Sequence, residues 1–305
     1  MELKKYLKLK DKADGELHRH IIIAHRNCPD GAATVVLAKK VFPDIFYIMA
    51  SHERMHHEAL QAAEVLEPGG ILIIADIVPP QETFSKLFDI LAAKKASCRV
   101  YDHHQSTQWL ENMTLPTHLK GEIIFNIEKC ATKIFFDHYL PTHPSLAPYE
   151  KFVLYTNDRD LWIRNHAASD ELAYFHRLLG DVGYIKRFLK NPIPEFVDDG
   201  KMILNAAKHH QYLREERLLK NIKIHSDKDN YKYGLLYGES ESSDLLNKAL
   251  ERYKLEYAFL VNLHTKRVSM RGRGNLDCAH YAEQYGGGGH KKASGFSIPV
   301  KEPLL

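Results

Sequence analysis

The chain has 305 residues, of which 44% are hydrophobic and 27% are charged, which excludes global disorder and provides enough apolar material for two domains. Its 42 Lys and Arg nearly balance its 39 Asp and Glu, which excludes a protein whose entire surface coats nucleic acid and leaves a local basic groove open. Apolar runs fall far short of the ~18 residues of a membrane helix, and the charged N-terminal segment lacks the apolar core of a secretory signal.

The first two-thirds of the chain alternate between short apolar runs and helix-forming segments. The apolar runs predict strands at His20–Ala24, Asp44–Met49, Ile71–Ala75 and Cys98–Tyr101. Helices are predicted at Ala32–Phe42, Glu53–Leu66 and Gln81–Lys95, with a polar loop over His25–Gly31 and a helix stop at Pro68–Gly70. Because strands that alternate with helices form parallel sheets, we expect an α/β domain with a mainly parallel sheet and helices on both faces.

The last part of the chain has a different texture. After a helix at Ala147–Thr156 and a break at Asn191–Pro194, one long helix is predicted over Glu195–Ile222. Beyond it, short strands are predicted at Tyr233–Leu236, Tyr257–Leu263, Val268–Met270 and Phe296–Ile298, with a helix at Ser243–Tyr253. We therefore expect a first domain over residues 1–190, a linker helix over 191–225 and a smaller α+β domain over 226–305.

Polar side chains of the metal-binding type follow three of the predicted strands. His25 follows the first strand, Asp76 the third and Asp102–His104 the fourth. Each alone is explained as an ordinary polar strand end, but ligands bind beyond the carboxyl ends of parallel strands, so the three together indicate a site. With Asp30 and Asp158 they form a carboxylate and imidazole set without thiolates, which suits Mn²⁺ better than structural zinc.

Four segments resemble motifs I to IV of the DHH phosphoesterase superfamily, in the same order and spacing. They read His-Arg-Asn-Cys-Pro-Asp-Gly from His25, Ile-Ile-Ala-Asp to Asp76, Tyr-Asp-His-His to His104 and Asn-Asp-Arg-Asp-Leu-Trp to Trp162. The stretch from Arg271 to Phe296 contains Gly-Gly-Gly-Gly-His followed by Ala-Ser-Gly. It resembles the DHHA1 domain of the oligoribonuclease and cyclic-dinucleotide phosphodiesterase branch. Motif I is similar to that of standalone members more than to that of the exonuclease RecJ.

The resemblance implies a two-metal centre, with Mn²⁺ as the expected ion and Mg²⁺ or Co²⁺ as alternatives. His25 would hold the first metal, and Asp30 and His103 would hold the second. Asp76 would bridge the two metals, and Asp158 would complete the ligand set. Two divalent ions about 3.5–4 Å apart can clamp a phosphoryl group and make water acidic enough to act as a nucleophile.

Two catalytic side chains are implied beside the ligands. His104 would face the scissile phosphate as a positive or proton-donating group, and Asp102 would orient the histidines from behind. Asp160 is assigned a supporting or capping role, because the spacing to Trp162 favours Asp158 as the ligand. Trp162 is interpreted as a core residue behind the metal loop, with stacking on a base as the alternative.

The cysteines bear on both the metal site and the cellular location. Cys28 stands where motif I of the family usually has the first of two acids. The missing ligand could be replaced by the Cys28 thiolate, by an oxygen of Asn27 or by water. The favoured interpretation gives Cys28 no ligand role and makes it a small buried residue at a helix start. The four cysteines are widely spaced, unlike a disulfide framework, so we expect a protein of the reducing cytoplasm.

The substrate site is predicted in the second domain. The residues assigned to it by the resemblance are Arg271, Gly287, Gly288, Gly289, His290 and Ser294. Glycines lack a Cβ, so their backbone can approach a phosphate or a base closely, although a glycine run alone is more typical of a flexible loop. His290 can hydrogen-bond a phosphate or carbonyl oxygen, and Arg271 offers two parallel donors to a phosphate.

We expect a phosphohydrolase that cleaves phosphodiester bonds of short oligonucleotides or small nucleotides in a cleft between the two domains. The alternatives are a 3′-phosphatase acting on a 3′-phosphoadenosine-type nucleotide, a cyclic-dinucleotide phosphodiesterase and a polyphosphate hydrolase. An alternative of another class is a catalytically weak nucleotide-binding module, which the departure at Cys28 motivates. The expected partner is a short RNA or DNA or a small nucleotide and not a membrane, and the sequence leaves a homodimer open.

Overall fold

The computed structural model describes residues 17–195, 198–239, 243–274 and 276–298. These residues fold into two compact units. The first unit contains the chain up to His103 and again from Thr107 to the end of the first described range. The second unit contains residues 104–106 together with the chain from residue 198 onward. No helix within the described ranges is long and apolar enough to span a bilayer.

The first unit is built on a parallel sheet of five strands in the order β2-β1-β3-β4-β5. The strands are β1 (His18–His25), β2 (Phe46–Ala50), β3 (Leu66–Ala75), β4 (Ser97–Asp102) and β5 (Lys120–Phe125). The isoleucine run Ile21–Ile23 is fully buried, with successive side chains on opposite faces of the sheet. A continuous apolar run of this kind is typical of a central strand that is covered on both faces.

Helices cover both faces of this sheet. They are α1 (Pro29–Val41), α2 (Met55–Glu64), α3 (Thr83–Ala93), α4 (Ala131–Tyr139), α5 (Glu150–Asp160) and α6 (Ala167–Lys190). One core cluster joins Ile22 and Ala24 to α1, α4, α5 and α6, and the other joins Ile21 and Ile23 to α2 and α3. The two-sided core confirms the predicted α/β class with a parallel sheet.

Two predicted boundaries in the first unit are wrong. Pro68–Gly70 does not stop a helix but lies inside β3, where the register with β1 shifts between His18 and His20. Irregular pairing of this kind accommodates proline and glycine within a strand. The helix predicted to begin at Ala32 begins at Pro29, because proline is favoured at the first helical position.

The second unit contains a six-stranded sheet in the order β10-β11-β9-β8-β7-β6, antiparallel except between β7 and β8. Its strands are β6 (Lys223–Ser226), β7 (Lys232–Tyr237), β8 (Tyr257–Asn262), β9 (Arg267–Gly272), β10 (Gly288–His290) and β11 (Ala293–Ser297). Its helices are α7 (Asp198–Lys220), α8 (Ser243–Tyr253) and α9 (Cys278–Glu283). A leucine-rich cluster packs α7 and α8 on one side of the sheet, and an aromatic cluster packs on the other side, under α9.

The strand order of the first unit creates a switch point between β1 and β3. β2 lies on one side of β1 and β3 on the other, so the chain leaves these two neighbouring strands in opposite directions. In open α/β sheets such a switch point opens a crevice beyond the carboxyl ends of the strands, where ligands bind. His25 ends β1, Asp76 follows β3, and Asp102 ends β4 next to it. The fold therefore brings three predicted site segments together at the carboxyl ends of neighbouring strands.

Candidate metal centre

The loop between β1 and α1 turns sharply after His25. Asn27 has a φ of 58°, in the left-handed region that residues other than glycine seldom adopt. Pro29 then opens α1, and Asp30 follows in the first turn. A Cβ on Gly31 would lie 2.4 Å from the main-chain oxygen of His25, so only glycine allows α1 to start this close to β1.

Asp30 is fully buried, and the start of α4 holds its carboxylate. Its Oδ2 accepts a hydrogen bond from the main-chain N–H of Ala131 (2.8 Å), and its Oδ1 accepts one from that of Thr132 (2.9 Å). The hydroxyl groups of Thr34 and Thr132 donate to the main-chain oxygen of Asp30. Because the N-terminus of a helix favours an anion, α4 fixes the position and orientation of this carboxylate.

Asp76 and His103 meet Asp30 beyond the ends of β3 and β4. Asp76 is 1% exposed and has a φ of 61°, and its Oδ1 lies 3.3 Å from Nε2 of His103. Its other oxygen, Oδ2, lies 3.6 Å from Nδ1 of His25. The same His103 nitrogen is 3.7 Å from Oδ2 of Asp30. One ligand atom from each of Asp30, Asp76 and His103 therefore lies within 4.8 Å of the others, close enough to hold one ion.

The charges of this cluster fit a divalent cation. Burial raises the pKa of Asp30 to about 8, and the charges of Asp76 and Asp160 act in the same direction. Burial of the ring acts to lower the pKa of His103, but the surrounding carboxylates outweigh it and raise the pKa to about 10, Asp160 most strongly. Buried carboxylates that repel one another are stabilised by a cation, and an all-carboxylate and imidazole donor set suits Mn²⁺ or a similar divalent ion.

Asp158 is buried at the end of α5. Its carboxylate accepts hydrogen bonds from the main-chain N–H groups of Asn165 (2.8 Å) and His166 (3.2 Å), just before α6. The carboxylate therefore holds the loop that leads into α6. Asp160, which the sequence assigns to a supporting role, instead has its Oδ2 3.4 Å from Nε2 of His103. The structure thus places Asp160 beside His103, and a ligand role for Asp158 stays a prediction.

The two predicted catalytic side chains occupy different units. Asp102 is fully buried at the end of β4, and its carboxylate accepts a hydrogen bond from the hydroxyl of Thr107. His104 belongs to the second unit, where its ring stacks on that of His290 with centroids 4.9 Å apart. The catalytic roles of Asp102 and His104 stay predictions.

Cys28 lies directly before α1, as its N-cap residue. Burial raises the pKa of its thiol, and the neighbouring carboxylates, Asp76 foremost, raise it further. A raised pKa disfavours the thiolate, which is the form of cysteine that binds metals. The close group of Asp30, Asp76 and His103 does not include it, so a ligand role for Cys28 stays a prediction.

The predicted substrate residues all lie in the second unit. The close approach to β11 requires glycine at positions 287 and 289. A Cβ there would lie 2.1 Å and 2.5 Å, respectively, from a main-chain oxygen of β11. A Cβ on Gly288 would meet no main-chain oxygen, and its nearest neighbours would be the Cβ and Oγ of Ser106, both at 3.5 Å. Arg271 is half-buried in β9. The hydroxyl of Ser294 is buried and finds no hydrogen-bond partner among the described residues.

Trp162 is engaged by two arginines of its own chain. The guanidinium groups of Arg159 and Arg164 each lie 4.1 Å from the centroid of a Trp162 ring. Asp170 ties both arginines together, with its Oδ1 3.1 Å from Nε of Arg159 and 3.2 Å from Nη2 of Arg164. Because cations of the protein already occupy the π surface, the structure favours the structural interpretation of Trp162 over stacking on a base.

Sequence comparison gives two distant relatives. No model of a known protein family matches the sequence. The uncharacterized protein R106 of Acanthamoeba polyphaga mimivirus is 24% identical over 299 residues, which span 91% of this chain and 67% of that protein. The oligoribonuclease NrnB of Bacillus subtilis is 40% identical over 67 residues, which span 21% of this chain and 17% of that protein. These matches are too distant or too short to define a family by identity.

Structural comparison is more informative about the fold. The pGpG-specific phosphodiesterase PggH from Vibrio cholerae has a TM-score of 0.51 at 15% identity and covers 92% of this chain and 94% of its own. An exopolyphosphatase-related protein from Bacteroides fragilis has a TM-score of 0.51 at 14% identity, and the match covers 99% of this chain and 92% of that protein. The DHH domain of a member of the s1p family of ribosomal proteins has a TM-score of 0.60 at 12% identity, and the match covers 96% of this chain and 85% of that domain. With these neighbours and with His25, Asp30, Asp76 and His103 gathered at one sheet edge, the chain has the fold of the DHH-domain proteins.

Proposed function

We propose that this chain is a divalent-metal-dependent phosphoesterase that hydrolyses phosphodiester bonds of short oligonucleotides or small nucleotides. One observation carries the proposal: the ligand atoms of Asp30, Asp76 and His103 converge within 4.8 Å at the switch point of a parallel sheet. Two similar proteins support the substrate class, since PggH is named a phosphodiesterase and NrnB an oligoribonuclease.

The proposed ligands are Asp30, Asp76 and His103, with His25 on the other oxygen of Asp76 and Asp160 beside His103. Bound divalent cations, Mn²⁺ being the proposed ion, would activate water and neutralise phosphate charge. The chain prepares this site before any ion arrives, because the amides of α4 already hold the Asp30 carboxylate in place. A preformed ligand set costs little reorganisation on binding.

The remaining roles belong to groups that touch the substrate. His104 is proposed to stabilise the charge on the reacting phosphate or to donate a proton to the leaving oxygen, with Asp102 orienting the histidines. Arg271 and His290 are proposed to bind a phosphate or the terminal nucleotide, together with the backbone of Gly287, Gly288 and Gly289. The buried hydroxyl of Ser294, without a partner among the residues described, supports a ligand contact at this position.

A substrate panel tests the proposal. The full chain is incubated with a dinucleotide, 3′-phosphoadenosine 5′-phosphate, a cyclic dinucleotide and polyphosphate, each with Mn²⁺ and with a chelator. We expect the dinucleotide to be hydrolysed fastest and the chelator to stop hydrolysis. Asp76→Asn should abolish hydrolysis, and Asp89→Asn, at an exposed position of α3, should leave it unchanged.

The outcomes separate the alternatives. Faster hydrolysis of the adenosine bisphosphate, the cyclic dinucleotide or polyphosphate would keep the metal centre and replace the proposed substrate. Nucleotide binding that is equal with and without metal, in a protein that hydrolyses none of the four compounds, would contradict the enzyme and support a binding module. Full activity in Asp76→Asn would contradict the metal centre itself.

A further inference from the structure

A residue far along the chain holds the loop that carries the proposed ligands. The main-chain N–H of Asn27 donates to both carboxylate oxygens of Asp181, at 3.1 Å and 3.2 Å. Asn27 is the left-handed residue between His25 and Asp30, so its peptide sets the path of the loop. A left-handed conformation outside glycine costs of order 1 kcal/mol or more, and it persists where neighbouring groups impose it. The Asp181 carboxylate is such a group.

A second side chain holds Asp181 in turn. Nε2 of His176 donates to Oδ1 of Asp181 at 2.8 Å, and the two side chains are only 4% and 9% exposed. The ring of His176 packs edge-on against Tyr184, with centroids 5.1 Å apart, and Tyr184 is fully buried. The carboxylate therefore has a fixed position that is anchored in the core of the first unit.

The backbone of α6 is interrupted between His176 and Asp181. Gly180 has φ 63° and ψ 174°, which interrupts the helix one residue before Asp181. His176 lies before the break and Asp181 after it. The break lets the two side chains approach each other and lets Asp181 reach the N–H of Asn27.

We propose that Asp181, supported by His176, is a positioning residue for the metal-binding loop between His25 and Asp30. The proposal rests on the proposed metal centre. Asp181 touches no proposed ligand atom in this scheme; it acts by fixing the peptide of Asn27, and through it the relative placement of His25 and Asp30. Groups that orient metal ligands from behind contribute roughly 10–100-fold to metal affinity.

The first measurement needs no metal. Amide hydrogen exchange of the metal-free full chain, followed by mass spectrometry, reports on the peptide that spans His25 to Asp30. We expect faster exchange of this peptide in Asp181→Ala, a smaller increase in Asp181→Asn, which keeps one acceptor oxygen, and unchanged exchange in the peptides of α2 and α3. Because His176→Gln leaves the Asp181 carboxylate present, we expect it to give the smallest increase.

The second measurement is Mn²⁺ affinity by titration calorimetry. We expect Asp181→Ala to raise the dissociation constant at least tenfold, within the range for orienting residues. At saturating Mn²⁺ the variant should recover the wild-type kcat, because the ligands themselves are intact. That recovery distinguishes positioning from general damage to the fold.

Asp137→Asn is the matched control. Asp137 is also a carboxylate of the first unit held by two hydrogen-bond donors, Lys129 and Lys133, but those donors lie on and before α4 and not on the metal loop. We expect wild-type loop exchange and Mn²⁺ affinity in this variant. If Asp181→Ala does not fold, Asp181→Asn and His176→Gln carry the same comparison.

The results separate this proposal from the proposed function. A wild-type chain that binds no Mn²⁺ contradicts the metal centre, and a positioning role for its ligands falls with it, whatever the exchange shows about the loop. A wild-type chain that binds Mn²⁺ but retains its affinity and loop exchange in Asp181→Ala overturns the positioning role alone. An equal loss of affinity in Asp137→Asn overturns it as well.

Discussion

Asp158 and Asp160 stand two residues apart and serve different ends. Both lie at the end of α5, and side chains two residues apart on an α-helix point about 200° away from each other. One carboxylate can therefore face His103 while the other faces the start of α6, but not both together. The motif spacing identifies the segment, and only the rotation of the helix decides which acid reaches the cluster.

Replacing each of these two acids by alanine tests which of them supports the proposed metal site. Asp160→Ala is expected to weaken Mn²⁺ binding about tenfold or more, because it removes a carboxylate beside His103. Asp158→Ala is expected to leave Mn²⁺ binding unchanged and to lower the free energy of unfolding by about 1–3 kcal/mol, because the buried N–H groups of Asn165 and His166 lose their acceptor. Calorimetric titration and urea unfolding measure the two effects, and the reverse pattern would restore Asp158 as the ligand.

The hydrogen bonds to the Asp158 carboxylate also predict a pH dependence. Burial acts to raise the pKa of Asp158, but hydrogen bonds from Ser169 and from the N–H groups of Asn165 and His166 lower it below its ordinary value. A lowered pKa means that the ionised group stabilises the fold above the unfolded-state pKa of about 3.9 and loses this contribution as pH falls through the folded-state pKa. The difference in unfolding free energy between wild type and Asp158→Ala should be full near neutral pH and should shrink below about pH 4. If the difference in unfolding free energy stays constant across this range, the ionised Asp158 carboxylate does not stabilise the fold.

Some site residues follow from the sequence because strand ends are visible in it. Asp76 and His103 come directly after apolar runs, and a parallel sheet brings its carboxyl ends together. Asp181 has no such marker, since it lies in a helix that reaches the metal loop only through tertiary packing. The sequence therefore indicates the proposed ligands that follow strands and misses groups such as Asp181 that contact the loop from a helix.

Among the elements, α6 depends on one glycine. Gly180 has φ 63° and ψ 174°, a conformation that is nearly exclusive to glycine, although a Cβ there would meet nothing within 4 Å. Gly180→Ala should therefore lower the free energy of unfolding by about 1–3 kcal/mol through backbone strain alone. Gly200→Ala is the control, because Gly200 lies in α7 with equally open space and should gain up to about 1 kcal/mol. Urea unfolding that shows equal effects at both positions would contradict the strain.

The turn after α5 depends on Trp162. Trp162 and Arg164 both have positive φ, at 59° and 60°, and the two guanidinium groups on the indole hold this turn together. Trp162→Leu should lower the free energy of unfolding by about 1–3 kcal/mol, as expected for two cation–π contacts and the lost ring. Tyr174→Leu removes one cation–π contact, with Arg177 at 4.6 Å, and should cost less than about 1 kcal/mol. An equal cost for both variants in urea unfolding would contradict a special role for this turn.

The elements that the sequence does not reveal have weak patterns. β5 is an edge strand without a fully buried residue, and its apolar run, residues 123–125, is only three residues long. The Pro-Gly-Gly of β3 looks like a turn until its irregular pairing with β1 is seen. By contrast, α8 is predicted at its observed bounds, Ser243–Tyr253, because its apolar positions recur at helical spacing. Local periodicity predicts an element well when one of its faces is buried and poorly at the margins of a sheet.

At the scale of the whole molecule, the site is a consequence of topology. The proposed ligands are contributed by segments that are far apart in sequence, and the order β2-β1-β3-β4-β5 brings them to one end of a single sheet. Each of the segments would be an ordinary strand end or helix start in another topology. The proposed metal ligands lie in the first unit, whereas the proposed substrate residues lie in the second unit.

This division predicts that metal binding and substrate binding can be lost separately. Arg271→Ala, in β9 of the second unit, should raise KM for a dinucleotide roughly 10–100-fold, the cost of losing hydrogen bonds to a charged phosphate, while Mn²⁺ affinity stays at the wild-type value. Asp76→Asn, in the first unit, should abolish Mn²⁺ binding and hydrolysis, yet both variants should unfold cooperatively in urea. Arg267→Ala, on the same strand, is the control for Arg271 and should leave KM unchanged. A joint loss of Mn²⁺ affinity and substrate affinity in Arg271→Ala would show that the two activities are not divided between the units, because a residue outside the metal cluster would then be supporting the ions.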